Sequence, residues 1–278
     1  MLELGRVNRL PLVTDPSGQP CVDAGELGLL SIKPEEMERV KPDSDSVDAF
    51  LYRDNDAGVV ATLKRPKAQV GECANLRVTS ITPVGIFMDW GLDKELFVPY
   101  NQQQQPMQVD HSYVVHLYLD NEERVVASAK LDRFLDKTEH DYRDGQQVNI
   151  LVAGRTELGY KAIVENQHWG ILYYDQVFQR VRAGELLKAK IAKVRSDGKL
   201  DLSMGAGGKK QSDELGERIL AKLRQEDGYL AISDKSSPQV ISAVFGVSKG
   251  AYKKAIGALY KQGLITISKT GLVLNDED

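Results

Sequence analysis

The stretch SITPVGIFMDWGLDKELFVPY, residues 80–100, decides the fold. Its segment GIFMDW alternates between two sets of residues, which predicts a β-strand with one face in a core. The residues on the core face are Ile86, Met88 and Trp90. Phe87 shares the opposite face with Asp89, and a phenyl ring beside a carboxylate is not explained by burial in the same core. A further strand is predicted at Glu95–Tyr100.

The composition excludes several classes of protein. The 278 residues are 42% hydrophobic and 27% charged, as in an ordinary globular protein. No apolar run is long enough to cross a bilayer and no signal peptide is present, so we expect a cytoplasmic protein without a membrane partner. Cys21 and Cys73 show neither a disulfide framework nor a CxxC metal spacing. A net charge of -4 means that any binding of nucleic acid depends on local basic patches or on stacking.

The chain contains internal repeats. FLYRDNDAGVVATLKRPKA (50–68) aligns without a gap on HLYLDNEERVVASAKLDRF (116–134), and KIAKVRSDGKLDLSM (190–204) is a weaker third copy. Each copy predicts a β-hairpin, because alternating residues flank a short polar turn. Five short strands per unit are what a small, partly open Greek-key barrel needs. The alternative is a stack of purely structural β-modules without a binding site.

The pattern changes after residue 205. GAGGKK (205–210) predicts a flexible break, followed by a helix over 213–224 with Ser212 as its N-cap. A short strand is predicted at 229–233. A second helix is predicted in SSPQVISAVFG, with Ser237 as its N-cap and Gly246 at its end, and a third, capped by Ser248, in GAYKKAIGALYKQ. The strands LITIS and GLVLN complete the region. This order of elements is that of a winged helix-turn-helix.

The second unit resembles the S1 RNA-binding motif, a variety of the OB fold. GIFMD, LFVPY and DNEERVVASAK carry the resemblance. The matching residues are Phe87 for the stacking phenylalanine, Asp120 and Arg124 for the acidic and basic turn residues, and Lys130 for the terminal lysine. Val84 stands where an aromatic residue is common, and Pro99 where a histidine is common. The resemblance implies that Phe87 stacks on nucleobases, which contributes roughly 1–3 kcal/mol per base. The alternative is that the ring is buried against a neighbouring unit.

The third and first units match less closely. Lys161 occupies the place of the stacking phenylalanine, while Tyr160 is expected to face the core and Tyr173 stands at the usual histidine position. These residues predict a mixed aromatic and cationic surface. The first unit lacks an aromatic residue in its loop, so we expect it to be a scaffold, with the basic residues of 64–67 as its only candidates for phosphate contact.

Taken as a whole, the chain resembles the conserved virulence factor B family of bacterial proteins. FLYRDNDAGVVATLKRPKA, KELFVPY, ELGYKAIV and WGILYYDQVF are the closest segments. The resemblance implies a multidomain, mainly β protein with three tandem S1-like OB-fold barrels followed by a small α+β winged-helix domain. The expected ranges are 1–66, 67–136 and 137–204 for the barrels, 205–211 for a linker and 212–278 for the winged helix. It also implies RNA binding by both parts and regulation of gene expression.

The predicted winged helix carries a local basic patch. No Asp or Glu occurs between Lys235 and Asn275. On its third helix the predicted buried stripe is Tyr252, Ile256, Leu259 and Tyr260. The residues left for phosphate contact are Lys249, Lys253 and Lys254 of this helix and Lys269 of the wing. A solvated helix face without a ligand is the alternative.

These observations favour a non-enzymatic protein that binds single-stranded RNA without a cofactor. The four histidines lack metal-ligand spacing, and neither a P-loop nor a nucleophile elbow is present. A transcriptional regulator that reads duplex DNA is a second hypothesis, although arginine, asparagine and glutamine, which commonly read bases, are nearly missing from the third helix. A protein-binding adaptor is a third. Whether the protein forms a homodimer is left open.

Overall fold

The computed structural model describes residues 2–38, 40–41, 43–54, 58–177, 180–204 and 206–275, without the side chains of 175 and 206–212. The chain divides into two compact units, Met1–Leu135 and Asp136–Asp278. The first unit holds two five-stranded modules, and the second holds one barrel and the helical domain. No described helix has the length and apolar character needed to cross a membrane.

The first module is a nearly closed sheet. Its strands are β1 (Arg6–Thr14), β2 (Pro20–Asp23), β3 (Leu29–Ser31), β4 (Ser46–Asp54) and β5 (Gly58–Thr62), and the short helix α1 (Pro34–Met37) precedes β4. The sheet order is β3-β2-β1-β4-β5, and the edge strands β3 and β5 lie in contact. The alternating residues Leu10, Val22, Val47 and Leu51 fill its core.

The second module is a closed barrel. Its strands are β6 (Cys73–Thr82), β7 (Gly85–Asp89), β8 (Leu96–Pro99), β9 (Ser112–Leu119) and β10 (Val125–Ser128). They follow the order β10-β8-β7-β6-β9, and β8 closes the barrel by pairing parallel with β10. The predicted core residues Ile86, Met88 and Trp90 are all buried. The alternation of GIFMDW therefore placed both faces of β7 correctly.

Aromatic contacts join the two modules of the first unit. The Trp90 ring meets Phe50 edge-on at 5.6 Å between centroids and Tyr52 at 6.4 Å. Phe50, from the first module, belongs to the apolar cluster of the second. The indole Nε1 of Trp90 donates a hydrogen bond to the carbonyl of Lys94. The two modules thus share the apolar cluster of the second barrel, beside the first module's own core.

Ion pairs close the surface above this shared core. The Asp93 carboxylate accepts hydrogen bonds from Lys33 at 2.8 Å and Lys64 at 2.5 Å. Both lysines hold the pKa of Asp93 at about 2. Lys94 also pairs with Asp54 at 2.6 Å. Because these side chains are exposed to solvent, each pair is expected to contribute only about 0–1 kcal/mol.

His116 on β9 is a buried titratable group in the second barrel. Its ring stacks on Phe134 at 4.3 Å, and its Nδ1 lies 3.5 Å from the Sγ of Cys73. Burial lowers the pKa of His116 to about 4 and raises that of the Cys73 thiol to about 12. The imidazole is therefore neutral at pH 7.

The stability of the first unit should depend on pH through His116. The unfolded state takes up a proton near pH 6.5, whereas the folded state resists protonation down to about pH 4. Stability is therefore full above pH 6.5 and is lost as the pH falls towards 4. We expect the free energy of unfolding, measured with urea, to be roughly 1–2 kcal/mol lower at pH 5 than at pH 7. His116→Gln should remove this difference and His111→Gln, at an exposed position, should keep it. An unchanged pH dependence in His116→Gln would contradict the assignment.

The second unit begins with another closed barrel. Its strands are β11 (Gln147–Arg155), β12 (Gly159–Val164), β13 (His168–Tyr173), β14 (Leu186–Val194) and β15 (Leu200–Ser203). Their order, β11-β12-β13-β15-β14, repeats the connectivity of the second module. Gly85 and Gly159 open equivalent strands. A Cβ at Gly159 would lie 2.3 Å from the carbonyl oxygen of Leu172, and one at Gly85 would lie 2.6 Å from that of Val98. The glycines allow the neighbouring strand to approach closely.

The helical domain of the second unit has the predicted winged-helix order. Its elements are α2 (Ala206–Gln225), β16 (Tyr229–Leu230), α3 (Pro238–Phe245), α4 (Lys249–Lys261), β17 (Ile265–Ile267) and β18 (Leu272–Leu274). Ser237 and Ser248 cap α3 and α4, since their hydroxyls accept the N–H groups of Val240 and Ala251. Gly246 ends α3 in the left-handed conformation, as predicted.

Three details of this domain differ from the sequence predictions. Helix α2 begins at Ala206, so the predicted break at 205–210 lies within the helix except for Gly205, which is outside the described residues, and Ser212 does not begin it. Extending an existing helix costs less free energy than nucleating a new one. This difference outweighs the low helix propensity of the glycines in the stretch. The strand at 229–233 is only two residues long. Tyr260, predicted to be buried, is 58% exposed, because it lies at the edge of the buried stripe of α4.

Candidate nucleic-acid interface

Phe87 lies on the outer face of the second barrel beside a second ring. It pairs with Phe97 across β7 and β8, and the two ring centroids are 5.2 Å apart with their planes tilted by 42°. Both side chains are partly buried, whereas their strand neighbours Leu96 and Met88 are fully inside. The two rings form an aromatic surface on neighbouring strands, to which we refer as the Phe87–Phe97 pair. The sequence analysis missed Phe97, although alternation within LFVPY signals its outward position.

A pocket of about 230 Å³ lies over the Phe87–Phe97 pair. Val84, which is 68% exposed, and Val126 add apolar surface. Tyr52 and Arg53 of the first module, which was expected to be a scaffold, also line the pocket. The pocket combines an apolar floor with a polar and cationic rim. Its size suits a single planar group rather than a large ligand.

Asp120 and Arg124 form the turn between β9 and β10. The Asp120 carboxylate accepts the N–H groups of Glu122 and Arg124, both at 2.9 Å. It also accepts two hydrogen bonds from the Arg124 guanidinium, at 2.9 and 2.7 Å. Burial alone would raise the pKa of Asp120, but these hydrogen bonds lower it below its ordinary value. Asp120 therefore builds the turn and orients Arg124, whose side chain lines the pocket.

Lys130 does not line the pocket over the Phe87–Phe97 pair. It is exposed just beyond β10, where its backbone N–H donates to the Ser128 hydroxyl at 3.1 Å. The basic residues predicted as phosphate contacts in the first module are each held by a carboxylate. The pairs are Lys64 with Asp93, Arg65 with Asp48, and Lys67 with Asp89.

The third barrel presents a mixed aromatic and cationic face, as predicted. The ammonium Nζ of Lys161 on β12 lies 3.7 Å from the centroid of the Trp169 ring, which is a cation–π contact. Trp169 and Tyr173 alternate with buried residues along β13, so both share the outer face. Tyr160, one residue before Lys161, is buried as expected.

Tyr173 is part of a polar cluster rather than a free stacking ring. Its hydroxyl donates to Asp201 on β15 at 3.1 Å and accepts a hydrogen bond from the Arg195 guanidinium. Arg195 also pairs with Asp201 at 2.8 Å. Burial, followed by Asp201, raises the pKa of Tyr173. Arg195 occupies the turn position that corresponds to Asp120 of the second barrel. The third barrel therefore has a cation where the second barrel has a carboxylate.

Trp169 offers a direct optical signal for this face. The other tryptophan, Trp90, is 2% exposed but lines the pocket over the Phe87–Phe97 pair, so its fluorescence can also respond to a ligand there. The titration is therefore made with Trp90→Phe, in which Trp169 is the single tryptophan. We expect single-stranded RNA to quench the fluorescence of Trp169 in this variant. An unchanged signal at RNA concentrations that saturate binding would remove this face from the interface.

The predicted lysines of the winged helix lie on α4 and in the loop between β17 and β18. Lys253 and Lys254 are exposed on α4, and Lys269 is exposed in the loop between β17 and β18. Lys253 has Asp234 at 3.9 Å. Lys249, at the start of α4, is partly buried where the helix meets the third barrel. Within the described residues, no group of three or more His, Cys, Asp or Glu is arranged to hold a metal ion.

Two regions of the chain match known domain families. Residues 70–130 match the S1 domain, and residues 217–274 match the CvfB-like winged helix domain. The first match covers β6 to β10 with the Phe87–Phe97 pair, and the second begins within α2 and continues to the last strand. The second barrel and the winged helix of the predicted architecture are thus identified independently of their geometry.

Relatives cover most of the chain. Conserved virulence factor B of Staphylococcus saprophyticus is 25% identical over 245 residues, which are 82% of this chain and 79% of that protein. YitL of Bacillus subtilis is 26% identical over 239 residues, with coverages of 83% and 80%. A crystal structure of a multidomain protein with nucleic acid binding domains from Streptococcus pneumoniae covers 98% of both chains, with 24% identity and a TM-score of 0.42.

Proposed function

The chain is a homologue of the conserved virulence factor B proteins, and on that premise we propose that it is a non-enzymatic protein that binds single-stranded RNA. Its S1 domain and winged helix are nucleic-acid-binding domains. The observation that carries the proposal is the Phe87–Phe97 pair, two partly exposed rings on neighbouring strands with Arg124 at the pocket rim. A cytoplasmic role in post-transcriptional or translational regulation in bacteria is part of the proposal.

The geometry supports a single strand over a duplex. An unpaired base offers its π-face to a ring, whereas the bases of a duplex are stacked on each other. A pocket of about 230 Å³ accommodates one planar group and excludes a double helix. Phosphates on either side would meet the exposed Lys130 or the cations of the pocket rim. Affinity should fall with salt, with a modest slope because most basic side chains near the pocket are ion-paired.

Duplex DNA is the second candidate, because a winged helix commonly reads DNA through its recognition helix. Here the hydroxyl of Ser248, at the start of α4, donates a hydrogen bond to the carbonyl of Tyr174 in the third barrel at 2.7 Å. The N-terminal turn of α4 is therefore packed against protein, although this is the part that usually enters the major groove. The arrangement favours a role of the winged helix other than base reading in duplex DNA.

Fluorescence anisotropy tests the proposal. Labelled single-stranded RNA, single-stranded DNA and duplex DNA of the same sequence are titrated at two salt concentrations. We expect the tightest binding for single-stranded RNA, and a uniform loss of affinity when Lys253 and Lys254 are both changed to alanine. Tighter binding of duplex DNA would overturn the proposal in favour of a transcriptional regulator. No binding of any probe would favour a protein-binding adaptor.

A further inference from the structure

A second cleft, of about 920 Å³, lies within the second unit where the third barrel meets the winged helix. Barrel residues Arg155 and Tyr160 line one side, and the start of α4 at Ser248, Lys249 and Gly250 lines the other. Its volume falls in the range of roughly 300–1,000 Å³ that is typical of ligand sites. None of the residues singled out in the sequence for RNA contact, except Lys249, lines this cleft.

The cleft is strongly cationic. Arg155, Arg180 and Lys249 line it, and among the described side chains of its wall none is a carboxylate. In the part of the chain that the structure describes, no carboxylate pairs with any of these three cations. By contrast, Arg124 and Arg195 on the barrel faces are neutralised by neighbouring aspartates. Three like charges around one concave surface repel each other unless an anion joins them.

The walls of the cleft are fixed by specific contacts. The Ser248 hydroxyl donates to the carbonyl of Tyr174 at 2.7 Å and accepts the N–H of Ala251 at 3.1 Å. The Tyr174 hydroxyl donates to the carbonyl of Thr156 at 2.8 Å, and its ring meets Tyr160 edge-on at 5.2 Å. The Arg155 guanidinium lies 5.8 Å from the centroid of Tyr160. Helix and barrel are thereby tied together, so the two walls that carry Arg155 and Lys249 are joined before a ligand arrives.

We infer that this cleft is a phosphate-binding site, in which Arg155, Arg180 and Lys249 hold the backbone of a nucleic acid between the third barrel and the winged helix. The guanidinium group is suited to phosphate, because its donors match the phosphate oxygens in pairs. Lys249 and Gly250, in the first turn of α4 where backbone N–H groups lack a partner within the helix, line the same cleft. The nucleic-acid ligand rests on the proposed function, whereas the preference for a phosphate follows from the cleft alone.

The inference gives the winged helix a role that does not require base reading. A strand held in the cleft contacts the barrel and α4 at once, so both domains contribute to affinity through its phosphates. Such contacts carry no sequence information and depend strongly on salt.

Charge removal in matched positions tests the site. The variant Arg155→Gln with Arg180→Gln removes two charges from the cleft, and Lys188→Gln with Lys193→Gln removes two from exposed positions on β14 of the same barrel. Each phosphate contact contributes about 0.7 to the slope of log affinity against log salt for a single strand. The cleft variant should therefore lower the slope by about 1.4 and the RNA affinity at 0.1 M salt by about 25-fold. The control should leave both unchanged.

A titration with inorganic pyrophosphate tests the phosphate site without requiring that the protein binds RNA. In NMR spectra of the full chain labelled with ¹⁵N, we expect pyrophosphate to shift the amide signals of Lys249 and Gly250, and the cleft variant to lose the shifts. If the wild-type chain binds RNA, a salt slope in the cleft variant equal to that of the control overturns the site. If the wild-type chain binds no RNA, the proposed function fails, and absent pyrophosphate shifts then overturn the site as well.

Discussion

Replacing Phe87 by alanine is expected to weaken the binding of single-stranded RNA by roughly 5- to 150-fold, since stacking on one ring contributes about 1–3 kcal/mol. The partly buried ring stands 5.2 Å from Phe97, so one base can contact both. The loss should appear mainly as faster dissociation, because stacking forms only after the strand has docked. Anisotropy titrations and stopped-flow dissociation measure the two quantities.

Two further substitutions separate stacking from packing. Phe87→Tyr keeps an aromatic ring and should retain the affinity within about twofold. Phe87→Leu keeps apolar volume on β7 but has no π-face, so it should lose nearly as much RNA affinity as alanine while its stability stays close to wild type. Full RNA affinity in Phe87→Leu would show that the ring only packs against its neighbours, and the stacking role would then be wrong.

The second large effect is expected at Trp90, where alanine should lower the free energy of unfolding of the first unit by about 3–5 kcal/mol. The side chain is 2% exposed and contacts Phe50 and Tyr52 of the first module, so its loss opens a cavity in the core that both modules share. The carbonyl of Lys94 also loses its donor. Urea denaturation, followed by a probe of the strand-rich first unit, measures the change.

Trp90→Phe is the matched control for this variant, because it keeps a ring in the same space. It should lower the free energy of unfolding clearly less than alanine does. Trp169→Ala, at a partly exposed position on the third barrel, should leave the first unit unaffected. A loss below about 1 kcal/mol in Trp90→Ala would contradict the shared core. The first module would then be an independent domain and not a wall of the Phe87 pocket.

Much of the fold was predictable because alternation is a local property. GIFMDW placed Ile86 and Trp90 inside and Phe87 outside, and the serine caps of α3 and α4 followed from their hydroxyls. The start of α2 was not predictable in the same way. A run of glycines and lysines favours a break locally, whereas the helix that follows it propagates backwards.

The candidate site was only partly predictable, because its chemistry depends on pairs that are distant in sequence. Phe97 becomes significant through its pairing with Phe87, and Tyr173 loses its role as a free ring through Asp201 and Arg195. The sequence shows the types of residue but not which cations are neutralised. The sequence prediction therefore included Lys64, which a carboxylate neutralises, and did not include Arg155, which has no carboxylate partner among the described residues.

The most direct test of the central claim is an NMR titration of phenylalanine ring protons with a short single-stranded RNA. The six phenylalanines include Phe50, which is fully buried and serves as an internal reference. We predict that the ring protons of Phe87 and Phe97 move upfield as RNA is added, because a stacked base shields them, while those of Phe50 stay in place. RNA that binds without moving the Phe87 signals would contradict the account.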